Sequence, residues 1–279
     1  MHHHPIHPGC TALVTGGASG IGLGIAQALL EAGLCVLVTD VRADHLAAAR
    51  ERLGFAGDRA IFHLLDVASK PQWTAARDLV REHFQDLHVL CLNAGVGVLG
   101  SMLETSPEDR AWLMSVNLGG VLYGIEAFLP DMLALERPAH IMATSSMGGL
   151  VVANDGGIYS TAKFGVVAVM ERLRLELAAT SVGTSLLCPS AVNTNIFDHE
   201  RMRPGAKPGS ASRLDEAGLN QMEAMAKGIL SQGRTPLEVG VMVREAIVRN
   251  DFYIFTDRNV KPILERRRAA LLSFAVGCP

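Results

Sequence analysis

The glycine-rich segment Thr15-Gly16-Gly17-Ala18-Ser19-Gly20-Ile21-Gly22 lies near the start of the chain. It follows an apolar run at residues 12–14 that is typical of a buried strand, and residues 23–30 after it have a helical composition. Glycine is needed here because a Cβ would hold the backbone away from a bound phosphate. Free N–H groups at the helix start then stabilise phosphate charge. The stretch therefore predicts the first unit of a dinucleotide-binding sheet, with these residues at the phosphates: Gly16, Ser19, Gly20, Ile21 and Gly22.

Length and composition narrow the class of protein. The chain has 279 residues, a formal net charge of −3 and a pI near 6.4, so it lacks the basic footprint of a nucleic-acid-binding protein. Charged residues interrupt the long apolar runs, and we expect no membrane-spanning segment. No linker divides the chain, which predicts one catalytic domain over residues 11–279 after a flexible start at residues 1–10. Five scattered cysteines without metal-ligand spacing, and no secretory signal, indicate a cytoplasmic protein without a metal site.

Apolar runs alternate with helical patterns along the rest of the chain. Further strands are predicted at residues 34–40, 60–65, 89–92, 140–144, 184–188 and 252–256. Helices are predicted at residues 70–84, 107–135, 160–179 and 236–249. This alternation predicts an α/β fold with a parallel sheet of about seven strands and helices on both faces. The pattern breaks at residues 193–233, a polar and turn-forming segment that we predict to be a lid over the substrate.

Asp40 ends the second predicted strand, where an acidic residue meets the hydroxyls of an adenosine ribose. A carboxylate there accepts hydrogen bonds from both hydroxyls and repels a 2′-phosphate, which favours NAD over NADP. Two alternatives stay open. Asp40 could instead cap the helix that begins near residue 43, and Arg42 could accommodate the additional phosphate of NADP.

Four polar residues follow in an informative order. Tyr159 and Lys163 are four positions apart, so on a helix they share one face. Ser146 follows the fifth strand, and Asn117 lies inside a long predicted helix. Each has an ordinary structural explanation by itself, as a packing contact, a loop residue or a mid-helix polar residue. Their order after a glycine turn and a ribose acid makes independent coincidence a poor explanation.

Together these motifs resemble the short-chain dehydrogenase/reductase superfamily over residues 11–256, which implies a single Rossmann-like, doubly wound sheet. The motifs are residues 15–22, Asp66-Val67, Asn93-Ala94-Gly95, Asn117, Ser146, Tyr159 to Lys163, and Pro189 to Thr194. The resemblance implies that further residues hold the cofactor: Asp66, Val67, Asn93, Ala94, Gly95, Tyr159, Lys163, Pro189, Val192 and Thr194. The chain departs from the family at Ser190, where glycine is usual, which puts the shape of the nicotinamide loop in question.

The resemblance also implies a reaction, hydride transfer between NAD(H) and a secondary alcohol or ketone. Tyr159 is implied as the acid/base. A free phenol has a pKa of about 10, which is too high for a base near neutral pH, and the neighbouring ammonium of Lys163 is expected to lower that pKa. Lys163 is also implied to hold the nicotinamide ribose, Ser146 to orient the substrate oxygen, and Asn117 to hold a water that relays protons.

The substrate is predicted from the expected pocket walls, residues 96–99, 147–154 and 196–197, which are mostly apolar, with Asn154 and His199 as polar contacts. They indicate a hydrophobic or aromatic substrate. The residue 252–256 strand and the glycine turn resemble bacterial dehydrogenases of lignin-derived benzylic alcohols, and steroid chemistry fits nearly as well. Two other functions remain open: a catalytically silent NAD(H)-binding regulator and an NADP-dependent carbonyl reductase. A regulator would be expected to lack part of the catalytic set.

The two long helices carry apolar residues on more of their circumference than one buried face requires. They are Leu118, Val121, Leu122, Ile125 and Phe128 on the first, and Phe164, Val167, Val169, Met170, Leu173 and Leu177 on the second. Large apolar patches mark interfaces, and related family members pair these helices across a two-fold axis. We therefore expect a homodimer or a homotetramer.

Overall fold

The structure, a computed structural model, describes residues 4–98, 101–103, 105–152, 157–194, 196, 224–225, 228, 230–257 and 259–275. Its parallel strands are β1 Thr11–Thr15, β2 Cys35–Asp40, β3 Ala60–Leu64, β4 Val89–Leu92, β5 Ala139–Thr144, β6 Val182–Cys188 and β7 Tyr253–Phe255. They form one sheet in the order β3-β2-β1-β4-β5-β6-β7. The predicted fold class is confirmed. The strand order reverses between β1 and β4, where such sheets open a crevice for ligands.

Helices cover both faces of this sheet. They are α1 Gly20–Glu31, α2 Ala43–Arg52, α3 Lys70–His83, α4 Pro107–Met114, α5 Gly120–Ala134, α6 Gly157–Glu176, α7 Pro236–Arg249 and α8 Val260–Ala275. Successive side chains of a strand point to opposite faces, so Leu13 enters one core while Ala12 and Val14 enter the other. Because both faces are buried, the strand is apolar throughout rather than alternating.

Helices α1 and α7 touch through their backbones. A Cβ on Gly24 would stand 1.9 Å from the carbonyl oxygen of Pro236, and one on Gly240 would stand 2.0 Å from that of Gly24. Helix α7 starts in a capping box, in which Thr235 accepts a hydrogen bond from the Glu238 N–H and Glu238 accepts one from the Thr235 N–H at 2.7 Å. The close approach of Gly24 to Pro236 and Gly240 holds α1, the helix that follows the glycine turn, against α7.

The predicted helix over residues 107–135 is interrupted by a π-helical turn, Ser115–Gly119. In this turn, Asn117 Oδ1 accepts a hydrogen bond from the Val96 N–H at 2.8 Å, and Asn117 Nδ2 donates one to the Val96 carbonyl at 2.9 Å. The backbone polar groups of a buried loop residue are thereby satisfied, and single π-turns are frequent at functional sites. By length and composition alone the run Pro107–Ala134 could cross a membrane, with a mean hydropathy of 1.3. In this fold it lies beside the sheet, with Phe128 buried against Trp73.

Much of the apolar surface that we assigned to an interface is used by the chain's own core. Of the residues named on the two helices, these are buried in the single chain: Val121, Phe128, Val167, Met170, Leu173 and Leu177. The sequence argument overestimated the free surface because these helices pack against the sheet and also against neighbouring helices. Leu122 remains 45% exposed, and Leu175 on α6 is 71% exposed.

Both chain segments that we expected to be irregular are only partly described. The start was predicted to be flexible through residue 10, but Ile6 and Cys10 are buried and the Cys10 carbonyl accepts the Cys35 N–H. Ordered structure therefore begins before β1. Most of the predicted lid at residues 193–233 lies outside the described residues, as do the first three residues.

His140 on β5 is the most strongly perturbed histidine of the core. It is 2% exposed, and its Nε2 lies 2.8 Å from the Ser185 hydroxyl, which donates to the Asp251 carbonyl at 2.6 Å. Burial lowers the pKa of His140 to about 3. The folded state therefore holds this imidazole neutral at any pH where the protein works.

Folding stability should fall as acid is added, because the unfolded chain takes up a proton at His140 that the folded chain refuses. From a folded pKa of about 3 and an unfolded value of about 6.5, the expected loss between pH 7 and pH 5 is about 2 kcal/mol. Urea unfolding of the wild type and His140→Gln at both pH values measures it. The variant should lose about 2 kcal/mol less than the wild type over this interval; equal losses would contradict the assignment.

Candidate active site

A cleft opens at the carboxyl edge of the sheet. Its lining contains most of the residues predicted to hold the cofactor: Gly16, Ser19, Gly20, Ile21, Asp40, Asp66, Val67, Asn93, Ala94, Gly95, Tyr159, Lys163, Pro189 and Thr194. Gly22 and Val192 lie outside the lining. The cleft therefore runs without interruption from the glycine turn to the tyrosine and lysine of α6.

The glycine turn has the geometry that a diphosphate needs. Gly16 and Gly20 have φ values of +59° and +48°, which side chains rarely tolerate. A Cβ on Gly22 would stand 2.0 Å from the Gly16 carbonyl oxygen, so a side chain at this position would clash with the backbone of the turn. The Ser19 side chain makes no capping hydrogen bond, and no acidic residue occupies the first turn of α1. The first N–H groups of α1 are thus available to an anion, and the residues present fit a bound dinucleotide.

Asp40 does not cap α2, because the N-cap of that helix is Arg42. The carboxylate is 7% exposed and accepts the Arg42 N–H at 3.1 Å, together with the N–H groups of Ala18 and Val41. Burial raises the pKa of Asp40, and these hydrogen bonds oppose the rise. His45 Nδ1 lies 3.8 Å from the carboxylate.

The ends of β1, β4 and β5 are joined by polar side chains. Thr15 Oγ1 accepts the N–H groups of Asn93 at 2.9 Å and Ala94 at 3.0 Å, while Asn93 Nδ2 donates to the Thr15 carbonyl at 3.1 Å. Thr144 Oγ1 donates to Asn93 Oδ1 at 3.0 Å. The Asn93-Ala94-Gly95 segment is thereby fixed against the strands on either side of it.

Tyr159, Lys163 and Ser146 meet beyond this segment. Lys163 is 2% exposed, and its Nζ donates to the Thr144 carbonyl at 2.9 Å and lies 5.7 Å from the centre of the Tyr159 ring. Ser146 Oγ accepts the Gly148 N–H at 3.0 Å and is hydrogen-bonded to the Tyr159 hydroxyl. The structure thus brings together three of the four residues predicted to be catalytic.

The charges of this group are governed by burial. Burial raises the pKa of Tyr159, and the hydrogen bond with Ser146 opposes that rise. Burial also lowers the pKa of Lys163 to about 8, so the amine is still mostly protonated at pH 7. The expectation that Lys163 lowers the tyrosine pKa is not met in this structure, because desolvation dominates and the ammonium points to the Thr144 carbonyl.

Ser146 itself is not part of the cleft lining, and neither is Asn117, the fourth residue, which is fully buried. Both ends of its amide are bonded to Val96, so it acts on the loop after β4. A Cβ on Gly95 would be 3.3 Å from both Asn117 Oδ1 and Lys163 Nζ. Gly95 therefore leaves room between the two side chains that the resemblance links as a relay.

Several lining residues were not identified from the sequence: His45, Leu65, Trp112, Val116, Thr144 and Ser145. Trp112 and Val116 are four positions apart on one helical run, a spacing that could have indicated a shared face. Of the expected substrate walls, Val96 and Ile196 line the cleft, and the Gly97 N–H donates to the Ile196 carbonyl at 3.2 Å. Asn154 and His199 lie outside the described residues.

Ser190 replaces the usual glycine without strain. Its φ lies outside the left-handed region, and its N–H donates to Thr256 Oγ1 at 3.0 Å. The departure from the family pattern therefore leaves the loop after β6 anchored to the end of β7. Among the described residues, no group of three or more His, Cys, Asp or Glu side chains could hold a metal ion.

A family model described as short chain dehydrogenase matches residues 10–204. The chain therefore belongs to the short-chain dehydrogenase family, a class of oxidoreductases that use a nicotinamide dinucleotide.

Within that family, the chain is 32% identical to the C alpha-dehydrogenase of a Sphingobium species, over 94% of this chain and 85% of that protein. It is also 32% identical to 3beta-hydroxysteroid dehydrogenase 2 of Eggerthella lenta, over 70% of this chain and 75% of that one. Among solved structures, a short-chain dehydrogenase/reductase from Burkholderia phymatum in complex with NAD superimposes with a TM-score of 0.88 and 33% identity, covering 96% of this chain and 95% of that chain.

Ser160, next to Tyr159, carries a buried hydroxyl without a hydrogen-bond partner among the described residues. It is 3% exposed, and its Oγ and that of Ser146 each lie 3.5 Å from where a Cβ on Gly148 would stand. A buried polar group without a partner costs stability because it has lost its bonds to water.

Ser160→Ala should therefore raise the free energy of unfolding, by about 1 kcal/mol, since it removes an unsatisfied group. Ser145→Ala is the matched control, because the Ser145 hydroxyl donates to the Lys163 carbonyl at 2.9 Å and its loss should destabilise the fold. Chemical denaturation of both variants gives the comparison. If Ser160→Ala destabilises the protein as much as the control, its hydroxyl has a bound partner.

Proposed function

We propose that this chain is an NAD(H)-dependent dehydrogenase that interconverts a secondary alcohol and its ketone. The observation that carries the proposal is that one cleft is lined by the glycine turn, Asp40, Tyr159 and Lys163, with Ser146 beside the Tyr159 hydroxyl just outside that lining. When bound, the nicotinamide cofactor supplies the hydride acceptor or donor. The chain itself has to bind the substrate oxygen and exchange its proton.

The roles of the residues follow from these contacts. Ser146 orients the substrate oxygen, and Tyr159 takes its proton during oxidation and returns it during reduction. Burial opposes ionisation of Tyr159, and the Ser146 hydroxyl is the described group that favours it by hydrogen bonding. Lys163 holds the nicotinamide ribose beside the tyrosine. Asn117 positions the loop after β4 and completes a relay of protons to solvent.

Asp40 supports the choice of NAD over NADP. Its buried carboxylate is oriented by backbone N–H groups, so it can accept hydrogen bonds from ribose hydroxyls and would repel a 2′-phosphate. Arg42, the residue that could favour NADP, is ion-paired with Asp44. An NADP-dependent carbonyl reductase is the less well supported alternative.

The substrate is a hydrophobic or aromatic secondary alcohol. Apolar side chains contribute to the cleft from three different segments. They are Val96 after β4, Trp112 on α4 with Val116 on the π-helical turn that follows it, and Ile196 after β6. Such lining recognises substrates by burying apolar surface, with few polar contacts to fix orientation. The names of the relatives, a C alpha-dehydrogenase and a hydroxysteroid dehydrogenase, support the same class.

Turnover with NAD is the decisive test against a silent NAD(H)-binding regulator. Aryl and steroid secondary alcohols are offered with NAD at alkaline pH, and NADH formation is followed. Tyr159→Phe should keep the wild-type affinity for NADH, measured by fluorescence, and lose at least about 100-fold in turnover because only the ionisable oxygen is removed. Tight NADH binding without turnover by the wild type would favour the regulator, and an active Tyr159→Phe would remove the proposed base.

The pH dependence of oxidation reports the hydrogen bond between Ser146 and Tyr159. This bond lowers the pKa of Tyr159, so Ser146→Ala should raise that pKa and move the rising limb of kcat/KM to higher pH. Ser160→Ala is the matched control, because its hydroxyl makes no described hydrogen bond, and its profile should coincide with that of the wild type. Coincident profiles for Ser146→Ala and the wild type would contradict the role of Ser146.

The assembly is proposed to be a homodimer or a homotetramer built through α5 and α6. Leu122 is 45% exposed and Leu175 is 71% exposed, and Ile125 and Val169 on the same helices are half-buried. These apolar side chains form the surface that we assign to the interface. We also place the protein in the cytoplasm, supported by the free thiols of the four described cysteines.

Light scattering should give a mass of two or four chains at micromolar concentration. Leu122→Glu, which introduces a charge into the proposed interface, should shift the protein toward the monomer. Leu271→Glu on α8 is the control, since Leu271 is 62% exposed but outside the two helices. A monomeric wild type, or equal effects of both substitutions, would overturn the assignment of the interface.

A further inference from the structure

From the end of β2 to the first turn of α2, acids and bases alternate in Asp40, Arg42, Asp44 and His45. Three of these four residues line the cleft, and Asp44 is the one that does not. Asp44 is 64% exposed on the outer side of the turn. It nevertheless contacts Arg42, a residue that does face the cleft.

The contact between them is a two-point ion pair. Arg42 Nε donates to Asp44 Oδ1 at 2.9 Å, and Arg42 Nη2 donates to Asp44 Oδ2 at 2.5 Å. Two parallel hydrogen bonds fix the plane of the guanidinium as well as its position. The same contact lowers the pKa of Asp44 to about 2, so Asp44 stays ionised at working pH. The side chain of Arg42 is only 20% exposed, and its orientation is therefore well defined.

The position of Arg42 decides what a dinucleotide meets beside Asp40. A ribose hydroxyl bound by Asp40 places the 2′ substituent at this end of the cleft, where Arg42 is also part of the lining. Arginine binds phosphate through the same fork of donors that binds carboxylate. While Asp44 holds Nε and Nη2, this side of the guanidinium is not available to a 2′-phosphate, and the charge of Asp44 offsets that of Arg42.

We propose that Asp44 is a specificity-determining residue, which withholds Arg42 from a 2′-phosphate and so strengthens the discrimination against NADP. The two acids of the turn have different tasks: Asp40 repels the phosphate directly, and Asp44 occupies the cation that would attract it. This inference rests on the proposed NAD(H) dependence. It concerns a residue outside the cleft, which acts only through its ion pair.

The test is the affinity for NADPH, measured by fluorescence titration without substrate. Asp44→Asn keeps the size of the side chain and removes its charge, so it should tighten NADPH binding about tenfold and leave NADH binding unchanged. Glu51→Gln is the control, because it removes one charge from the same helix at its other end, and it should leave both affinities unchanged. If Asp44→Asn lowers the melting temperature below the working range, Asp44→Ser replaces it.

A double-mutant cycle shows whether the effect passes through Arg42. In an Arg42→Ala background, Asp44→Asn should bring no gain in NADPH affinity, because no guanidinium is left to release. The same gain in that background, or with Glu51→Gln, would show that only net charge matters and would overturn the proposal. An unchanged NADPH affinity for Asp44→Asn would overturn it as well.

The NADH and NADPH affinities of the wild type distinguish a failure of the proposed function from a failure of the role of Asp44. Wild-type protein that binds neither NADH nor NADPH would remove the proposed function and this proposal with it. Wild-type protein that binds NADH tightly, with no gain in NADPH affinity on loss of Asp44, would leave the proposed function intact and remove only the role of Asp44.

Discussion

A line of hydrogen bonds across the strand ends is the interaction on which the site depends. Thr15 holds Asn93 and Ala94, Asn93 accepts from Thr144, and the Thr144 carbonyl accepts from Lys163. This line links the strand before the glycine turn to the helix that carries the lysine. It crosses the point where the strand order reverses, where the crevice opens and backbone groups lack ladder partners. The two ends of the cofactor cleft are therefore held in one fixed geometry.

Burial explains the electrostatics of the cleft better than individual ion pairs do. Asp40 and Lys163 are both almost inaccessible to solvent, and for both groups desolvation opposes the charged form. Each is compensated by backbone: N–H groups for the carboxylate, and a carbonyl for the amine. Backbone partners move little, so a charge held in this way is also held in place. A site built in this manner is ready for its ligand before the ligand arrives.

The sequence predicted those features that have local causes. Helix α7 was predicted with its observed limits, because Pro236 follows the capping residue Thr235 and Asn250 ends the helix with a φ of +55°. The apolar strands and the glycine turn were also predicted from local sequence patterns. The π-turn at Asn117 was not predicted, and the hydrogen-bond partner of Asn117 there lies 21 residues away in sequence. The raised pKa of Tyr159 depends in the same way on burial by distant elements, and the partner of Arg42 depends on side-chain orientation. None of these leaves a pattern in the sequence.

The backbone contact between α1 and α7 has a consequence for how the protein folds. Gly24 and Gly240 meet although more than 200 residues separate them, so the helix that starts at the phosphate turn is packed on both sides only once α7 is in place. Contacts between such distant residues form late, because closing a long loop costs entropy before any contact compensates for it. Helix α1 is thus among the last elements to reach its final packing. Any factor that shields exposed apolar surface therefore has to protect α1 until α7 has been synthesised.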